Sequence, residues 1–600
     1  MKFSTAGQIT VKGYPGEMIK YTIDKQFSDD SLWKLTVNQF RLKSDAADGG
    51  WRGEFWGKLM RAACLTYEAA PSNKLYIKIT DSVTDMLTTA DENGKFSTYT
   101  NDAEFKCWDM WSRKYVMLGL LYYIEICKNK TLVAKITKAL KKHADYIIKK
   151  VGKGKRKVEI YDTTNIYGGM NSCSILEPFV KLYELTGETR YLDFSEYIIS
   201  TGFSKDQDII NLCRTKEKRP FEFNNTKAYE MMSCFEGLLE YYKVKGDEND
   251  LKAVINFVDM VLDSDYTIIG SCGCTHELFD HSSARQTERL EGVMQETCVT
   301  VTLMKLCAKL FAVTGNVKYV NVIEKSGYNA LFGAVNSENQ TMKRAQGIVW
   351  QGKTAVAVPH EPFPFDSYSP LCYGQRARRV GGFKVMENGR SYGCCAAIGG
   401  AGTALFGLVS VMKGENGYFV NLYNDETYTD KAEKTKISVK CNLYKNGKAE
   451  IAVKSARKVK LYLRIPEWTE KFTVSLNGEK TEYTEENGFA AVTAENGDKI
   501  RISMPMKVVR KILNGKVAFE RGPVTLARDE RFCENIDKPV AVPAKSGGAV
   551  AKLVKNTAFY TNETVKIKTK NGEITLCDYS SAGKNYDSEN CNVSVWNDII

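Results

Sequence analysis

A short stretch that occurs twice decides the fold: LYELTG at residues 182–187 and LFAVTG at residues 310–315. Each stretch ends an apolar segment with helical spacing. A second such segment follows each one, starting with RYL at 190–192 or KYV at 318–320. Glycine directly after a helix suits the left-handed conformation in which many helices end. The two stretches therefore predict two helical hairpins of the same design, with Gly187 and Gly315 at their turns.

The same kind of turn recurs along the first half of the chain. The predicted turns lie 56, 58, 59 and 69 residues apart, at Asn73, Asn129, Gly187, Gly246 and Gly315. A regular period indicates repeated packing of like units. Five hairpins, with a sixth inner helix expected at 403–412, favour a closed (α/α)6 barrel catalytic domain over residues 31–415, and an open solenoid is the alternative. Loops at one end of such a barrel converge on a concave pocket, the usual place for a small-molecule site.

The pattern changes to that of strands after about residue 416. Five segments alternate polar and apolar residues, at 436–440, 450–453, 460–464, 472–476 and 499–503. Asn446-Gly447 and Asn477-Gly478 are typical of tight hairpin turns. Short strands with such turns predict a β-sandwich over residues 416–530, followed by a C-terminal β region at 531–600. Residues 1–30 are expected to form an N-terminal arm with strands, so the predicted fold class is multidomain α+β.

Composition excludes several classes of protein. The 600 residues are too many for one hydrophobic core, and the formal charge of +12 is spread without a block of like charges, so we expect no nucleic-acid partner. No uninterrupted apolar run reaches the roughly 18 residues that cross a bilayer, so we expect no membrane partner. Seventeen cysteines without a signal pattern predict free thiols and a cytoplasmic location. A homodimer is left open.

Two cysteine motifs contain the candidate metal ligands. Cys394 and Cys395 are adjacent, and neighbouring thiols rarely bridge each other. About a hundred residues earlier, Glu296 and Cys298 lie in an extended lead-in to a predicted inner helix that begins near Thr300. One carboxylate and three thiols make four ligands that Zn²⁺ accepts. The lead-ins of two inner helices can meet at one end of a barrel, so the set is a candidate zinc site. Buried small side chains are the alternative.

A loop carboxylate and two groups of tryptophans are further candidates for the pocket. Glu277 lies between His276 and His281 in a loop that joins two predicted helices, which is a suitable place for a general acid. A solvated loop is the alternative. Tryptophans occur beside charged residues at 51–58 and 108–115, before apolar helices. Such rings offer flat faces to a sugar, although core packing explains them equally well.

The order of these motifs along the chain carries a family resemblance. The motifs are Glu277, Glu296-Thr297-Cys298, Tyr392-Gly393-Cys394-Cys395, LRIPEW at 463–468 and RGPV at 521–524. In this order they resemble glycoside hydrolase family 127, the β-L-arabinofuranosidases and their relatives, formerly catalogued as a domain of unknown function. The resemblance covers residues 51–526. It implies an (α/α)6 barrel followed by β-sandwich domains, with one Zn²⁺ held at the barrel mouth by Glu296, Cys298, Cys394 and Cys395.

The resemblance also implies the chemistry. Cys394 would be the nucleophile and Glu277 the general acid/base, so hydrolysis would proceed with retention through a thioglycosyl intermediate instead of the usual pair of carboxylates. The implied function is a zinc-dependent exo-glycoside hydrolase that releases β-L-arabinofuranose from a small carbohydrate substrate. Two alternatives stay open. One is a hydrolase or lyase on the same barrel that uses Asp109 and Glu277, and the other is a carbohydrate-binding protein without turnover.

Overall fold

The protein has a helical N-terminal part and a strand-rich C-terminal part. The computed structural model describes residues 1–290, 295–336, 349–350, 353–354, 364–376, 382–532, 535–584 and 592–600. Within these ranges, helices dominate up to Leu408 and strands follow from Val411. The predicted fold class, a helical barrel followed by β domains, is therefore confirmed.

Six buried helices form a closed inner ring. In chain order they are α1 (Gly53–Ala69), α2 (Asp109–Ile126), α3 (Leu176–Thr186), α4 (Ala228–Lys245), α5 (Thr297–Thr314) and α6 (Cys394–Leu408). Each helix packs against the next, and α6 packs against both α5 and α1, which closes the ring. Among the described helices, α5 alone has the length and apolar composition of a membrane span, yet 78% of it is buried inside the protein. Burial on all sides explains why its sequence is so apolar.

An outer layer of helices surrounds the ring. Five of its members follow an inner helix directly: Asn73–Leu87, Lys130–Lys150, Thr189–Ser200, Glu248–Ser264 and Lys318–Ser326. A shorter helix, Ile209–Thr215, packs against Glu248–Ser264. Gly187, Gly246 and Gly315 end α3, α4 and α5 in the left-handed conformation. The hairpins predicted from the sequence are thus confirmed, and their turns have the predicted chemistry.

The N-terminus completes the sixth hairpin. The sequence predicts an arm with strands for residues 1–30, but in the structure the strand Ile9–Val11 is followed by helices Gly13–Thr22 and Asp30–Leu42. The first of these helices packs against α6 and the second against α1. Gly13, Pro15 and Gly16 fall in the first turn of Gly13–Thr22, where proline is tolerated but where the composition favours a loop. Tertiary packing therefore decides this helix, and a local pattern does not reveal it.

Two sheets form the β-sandwich that follows the barrel. The first sheet has seven strands, in the order Ile9–Val11, Glu426–Asp430, Thr435–Cys441, Lys448–Lys454, Lys499–Ser503, Thr473–Leu476 and Glu479–Thr481. The second sheet has five, in the order Thr484–Glu486, Phe489–Ala494, Val459–Arg464, Tyr418–Val420 and Val411–Lys413. Alternate residues of both sheets are buried in one common core, as the period of two predicts.

A third sheet contains strands that the sequence assigns to the sandwich. Its main strands run in the order Val508–Leu513, Lys516–Arg521, Val524–Asp529, Gly572–Asp578, Thr564–Thr569 and Ala551–Val554. The first three belong to the predicted range 416–530, yet they pair with the C-terminal strands. Alternation is the same in any half-buried sheet, so it does not reveal which sheet a strand joins. The pairing favours a sandwich that ends before Val508.

Candidate active site and metal centre

The four predicted metal ligands meet at the N-terminal ends of two adjacent inner helices. Glu296 is the N-cap residue of α5 and Cys298 is the second residue of that helix. Cys394 and Cys395 are the first two residues of α6. One ligand atom from each of the four residues lies within 4.8 Å of the others, and all four residues are buried. The structure thus brings together the residues that the sequence motifs single out.

Both helices begin earlier than the sequence predicts. α5 begins at Thr297 instead of near Thr300, and α6 covers Cys394–Leu408 instead of beginning near residue 403. The hydroxyl of Thr297 donates to the carbonyl of Asp366 at 2.6 Å, which fixes the first turn of α5 in a segment of β-branched residues with low helix propensity. In α6, glycines lower the propensity but permit close packing, because a Cβ at Gly399 would overlap the ring of Phe365.

The earlier helix starts have an electrostatic consequence. Cys298, Cys394 and Cys395 occupy first turns, where unpaired backbone N–H groups and the helix dipole favour negative charge. Helix N-termini are a common environment of reactive thiolates for this reason. The position of the thiols on the helices therefore suits both metal binding and nucleophilic attack.

The distances within the cluster fit a tetrahedral zinc ion. Sγ of Cys395 lies 3.4 Å from Sγ of Cys298, 3.8 Å from Sγ of Cys394 and 3.4 Å from Oε1 of Glu296. Sγ of Cys394 lies 3.6 Å from the same carboxylate oxygen. Zinc–sulfur bonds of about 2.3 Å in a tetrahedron place the sulfurs about 3.8 Å apart. Oε2 of Glu296 has no hydrogen-bond partner among the described residues, as expected for a carboxylate that serves a metal.

The thiols of the cluster differ in acidity. Hydrogen bonds from Cys298 and Cys395 lower the pKa of Cys394 well below the ordinary value, and two nearby lysines act in the same direction against the effect of burial. Burial raises the pKa of Cys298 and of Cys395. Burial, together with the charges of Glu277 and Cys394, also raises the pKa of Glu296. Cys394 is therefore the thiol that ionises first.

One of the two lysines lies against the cluster itself. Nζ of Lys58 is 3.9 Å from Sγ of Cys298 and 3.1 Å from Oε1 of Glu54. Burial raises the pKa of Glu54 to about 7, although Lys58 opposes the rise. Both residues come from α1, one turn apart, so their side chains share one face of this helix. Lys58 thus places a positive charge between a buried carboxyl group and a thiol of the cluster.

Glu277 is held from both sides in the loop between the outer helix Glu248–Ser264 and α5. The hydroxyl of Tyr368 donates to Oε1 of Glu277 at 2.7 Å, and the ammonium of Lys227 contacts Oε2. The backbone of Glu277 is left-handed, with φ of 65°, and its carbonyl accepts from the N–H of Ala228 at 3.1 Å. A left-handed glutamate is uncommon, and such strain often marks a functional position. Two donors thus fix the orientation of the predicted general acid.

A cavity of about 410 Å³ connects the carboxylate to the thiol. Glu277, Glu296 and Cys394 all line it, and Glu54 and Glu230 add two more carboxyl groups to its wall. Among the described cysteines, Cys394 is the one that lines the cavity, so the other thiols of the cluster lie behind it. The volume is typical of small-molecule sites.

Aromatic rings form the wall and the mouth of this cavity. Trp51, Trp108 and Tyr167 are partly exposed, and the ring of Trp108 meets each of the other two edge-to-face at 6.0 Å. Trp111 lies deeper and donates its indole N–H to Glu54. Trp56, from the first predicted cluster, is instead a core residue. Both tryptophan clusters therefore contribute to the pocket, as the interpretation of these rings as sugar-facing predicts.

Asp109 does not belong to the cavity. Its carboxylate is fully buried and accepts hydrogen bonds from Ser97 Oγ at 2.6 Å, Phe105 N at 2.9 Å and Arg113 Nε at 3.1 Å. The first two contacts anchor the loop before α2, and the third lies within α2 itself. The alternative pair of acids, Asp109 and Glu277, therefore has no support in the geometry.

Sequence reasoning misses several cavity residues. Glu54 and Lys58 carry a weak signal, since an i, i+4 pair of opposite charges lies on an otherwise apolar helix beside Trp51. Lys227 and Tyr368 carry none, because each comes from a loop without periodic pattern. Their contacts with Glu277 are evident only in the folded structure.

Comparison with known proteins points to the same family that the motif order indicates. The sequence matches the profile of the β-L-arabinofuranosidase GH127 catalytic domain over residues 21–361 and that of the GH127 middle domain over residues 417–506. A non-reducing end β-L-arabinofuranosidase from Bifidobacterium longum subsp. longum is 20% identical over 408 residues, or 62% of this chain. That match spans 59% of the relative's own length.

Solved structures share the fold over nearly the whole chain. A GH127 β-L-arabinofuranosidase from Geobacillus stearothermophilus T6 has a TM-score of 0.73 at 18% identity, with 98% of this chain and 100% of that chain covered. A second GH127 β-arabinofuranosidase has a TM-score of 0.73 at 17% identity, with 100% and 98% covered. The resemblance carried by the motifs is confirmed. Because the catalytic-domain profile alone matches more than half of the chain, this protein belongs to glycoside hydrolase family 127, the family of the β-L-arabinofuranosidases.

Proposed function

We propose that the protein is a zinc-dependent, retaining exo-glycoside hydrolase that releases β-L-arabinofuranose from glycans or glycoconjugates. Cys394 is the nucleophile and Glu277 the general acid/base. One observation carries the proposal. The thiol of Cys394, with its lowered pKa, and the carboxylate of Glu277, which two side chains orient, line the same cavity, and three further ligand residues lie beside the thiol. Membership of GH127 supports glycoside hydrolysis as the reaction class.

The metal ligands in this proposal are Glu296, Cys298, Cys394 and Cys395. When bound, zinc would keep the sulfurs deprotonated and fixed in place. The chain itself supplies the neighbouring positive charges of Lys58 and Lys227, which favour the thiolate of Cys394 without any further group. Position at the helix N-terminus acts in the same direction.

The proposed reaction has two steps, and both use the same pair of residues. In the first step Sγ of Cys394 attacks the anomeric carbon and forms a C–S bond, while the glycosidic C–O bond breaks and Glu277 gives its proton to the leaving oxygen. In the second step Glu277 takes a proton from water, the water oxygen attacks the anomeric carbon, and the C–S bond breaks. The two inversions give net retention, and the thiolate and the protonated carboxyl group are restored.

The cavity supports a small, hydroxyl-rich group as the substrate. Carboxyl groups of Glu54 and Glu230 and the ammonium of Lys227 are available for hydrogen bonds to sugar hydroxyls, and the partly exposed rings of Trp51 and Trp108 face the remainder of the glycan. A pocket of this size suits removal of a terminal sugar. Three reduced thiols in one site suit the cytoplasm as the proposed compartment, and the fifteen cysteines that the structure describes are all free.

The test is to trap the covalent intermediate. Glu277→Gln is mixed with an aryl β-L-arabinofuranoside whose leaving group needs no protonation, and the digested protein is examined by mass spectrometry. We expect a pentosyl adduct on the peptide that contains Cys394, because deglycosylation lacks its base. An adduct on a carboxylate, or turnover by Cys394→Ala, would rule out the thiol mechanism. A protein that binds the glycoside but never releases its aryl group would instead be the non-catalytic alternative.

A further inference from the structure

The seven-stranded sheet of the sandwich has an unusual outward face. Its buried side carries residues such as Ile437, Ile451 and Ile500, so the alternate residues point to solvent. We call this outward side the basic face. Besides small residues and one carboxylate, Glu450, its described residues include Lys436, Lys440, Lys448, Lys454, Lys480, Lys499 and Arg501.

The positive charges of the basic face are largely uncompensated. Lys436 lies directly opposite Lys454 in the strand register, and like charges in this position destabilise a sheet. Arg501 pairs with Glu450 at 3.0 Å, and Lys480 lies 3.6 Å from Glu482. Within the described parts of the chain, the other five lysines of the basic face have no ion pair. The lysines of the basic face therefore repel one another, and a few more carboxylates on this face would remove the repulsion.

A groove of about 1120 Å³ crosses the basic face. Lys440, Lys448, Lys471, Lys480 and Arg501 line it, against the carboxylates of Asp425 and Glu450. Strands about 4.8 Å apart, with same-face residues about 6.8 Å apart along each strand, arrange these cations as a regular array. Such an array complements a polymer that carries one carboxylate per repeating unit.

The lining of the groove argues against two classes of ligand, single-stranded nucleic acid and neutral sugars. No aromatic side chain is among its described lining residues. Proteins that bind single-stranded nucleic acid stack the bases on aromatic rings, and neutral sugars are usually bound on such rings too. A flexible polyanion held by charge and hydrogen bonds fits a lining of this kind.

We propose that the basic face is a docking surface for an acidic polysaccharide, a polyuronate chain that lies in the groove. It would hold the protein on an anionic glycan while the separate barrel cavity acts on terminal sugars. The choice of a saccharide among polyanions rests on the proposed function, whereas the charge argument does not. Binding without turnover is what the experiment measures, so failure of the catalytic proposal does not affect its result.

The experiment measures affinity for polygalacturonate by isothermal titration with the full chain. Wild-type protein is expected to bind it, and to bind roughly tenfold more weakly when the salt concentration rises from about 50 to about 500 mM, because screening shortens the range of exposed charges. The triple variant Lys440→Gln, Lys448→Gln, Arg501→Gln is expected to lose about tenfold in affinity at low salt. Its melting temperature shows whether it is folded.

A matched variant controls for net charge. Lys135→Gln, Lys138→Gln, Lys142→Gln removes the same charge from exposed positions on the outer helix Lys130–Lys150 and is expected to bind like the wild type. The proposal is overturned if both triple variants lose the same affinity, or if wild-type binding is insensitive to salt. It is also overturned if neutral arabinan, double-stranded DNA or vesicles of anionic phospholipid bind as tightly as polygalacturonate.

Discussion

Tyr368 donates a 2.7 Å hydrogen bond to Oε1 of Glu277, although the two residues are 91 positions apart in the sequence. Glu277 lies in the loop between the outer helix Glu248–Ser264 and α5, and Tyr368 lies in the segment between α5 and α6. The hydroxyl leaves Oε2 to the ammonium of Lys227. The proposed general acid is therefore positioned by two residues from different loops, and neither donor is part of the metal cluster.

Tyr368→Phe is expected to lower kcat about 10- to 100-fold, with a smaller effect on KM. The variant removes one hydrogen bond, worth about 1 kcal/mol in stability, but it also frees the carboxylate to rotate away from the leaving oxygen. Steady-state kinetics with a β-L-arabinofuranoside whose leaving group needs protonation would show the change. Tyr373→Phe is the control, since Tyr373 lies on the same segment but is 39% exposed and absent from the cavity. Equal losses in both variants would contradict a positioning role for Tyr368.

Removal of one cluster thiol is expected to remove the metal. We expect one zinc per chain in the wild type and far less in Cys298→Ala, because three ligands bind zinc more weakly than four. The melting temperature should fall with the metal content, since binding stabilises the folded state. Elemental analysis and thermal unfolding, with and without a chelator, measure both effects.

Cys307→Ala is the matched control for this experiment. Cys307 is also a buried cysteine of α5, but it lies outside the cluster. It loses a side chain of the same size, so it reports the cost of truncation alone. If Cys298→Ala keeps stoichiometric zinc, or if Cys307→Ala loses it, the assignment of the ligands is wrong.

Gly382 leaves room for the proposed nucleophile. A Cβ at this position would overlap Sγ of Cys394, and the carbonyl of Gly382 accepts from the N–H of Cys394 at 2.9 Å. Gly382→Ala is therefore expected to displace the thiol and to lower kcat/KM by about 100-fold or more. The rate at which iodoacetamide alkylates Cys394 should change as well.

Gly389→Ala separates this effect from backbone strain. Gly382 has φ of 61° and Gly389 has φ of 78°, so alanine costs each of them about 1 kcal/mol of left-handed strain. Nothing lies within 4 Å of a Cβ at Gly389. Near wild-type activity in Gly389→Ala and loss in Gly382→Ala is the expected result. Similar activity in the two variants would mean that the thiol has room to move.

Local chemistry explains which parts of the fold the sequence predicts. Gly187, Gly246 and Gly315 end helices in the left-handed conformation, and this requirement repeats with the period of the barrel. The helix Gly13–Thr22 has no such signal, because its stability comes from contact with α6. The sheet to which Val508–Leu513 belongs is likewise a matter of long-range pairing, which an alternating pattern does not specify.

The same distinction holds in the site. Adjacent Cys394 and Cys395, with Glu296 and Cys298 before another inner helix, are noticeable because few residue types bind zinc. Tyr368 has no comparable signal, since nothing in the sequence distinguishes it from other tyrosines in loops. Sequence therefore predicts the groups that react more readily than the groups that position them.

A buried carboxyl group that does not line the cavity is expected to make stability depend on pH. Glu426 is 2% exposed in the strand Glu426–Asp430, and hydrogen bonds from the side chains of Ser410 and Asn424 only partly offset its burial. Burial raises the pKa of Glu426 from 4.5 to about 8. The folded protein thus keeps a proton that the unfolded chain loses. The stability linked to that proton is complete below about pH 4.5 and is lost as pH rises through about 8.

Glu426→Gln is expected to remove this loss. Glutamine has nearly the same shape and never ionises. The free energy of unfolding of the variant, relative to that of the wild type, should therefore rise by about 2–4 kcal/mol between pH 5 and pH 9. The measurement is the difference in melting temperature between the two proteins across that range. Other groups titrate equally in both proteins and cancel in the difference. A constant difference would show that Glu426 ionises as easily in the folded protein as in the unfolded chain.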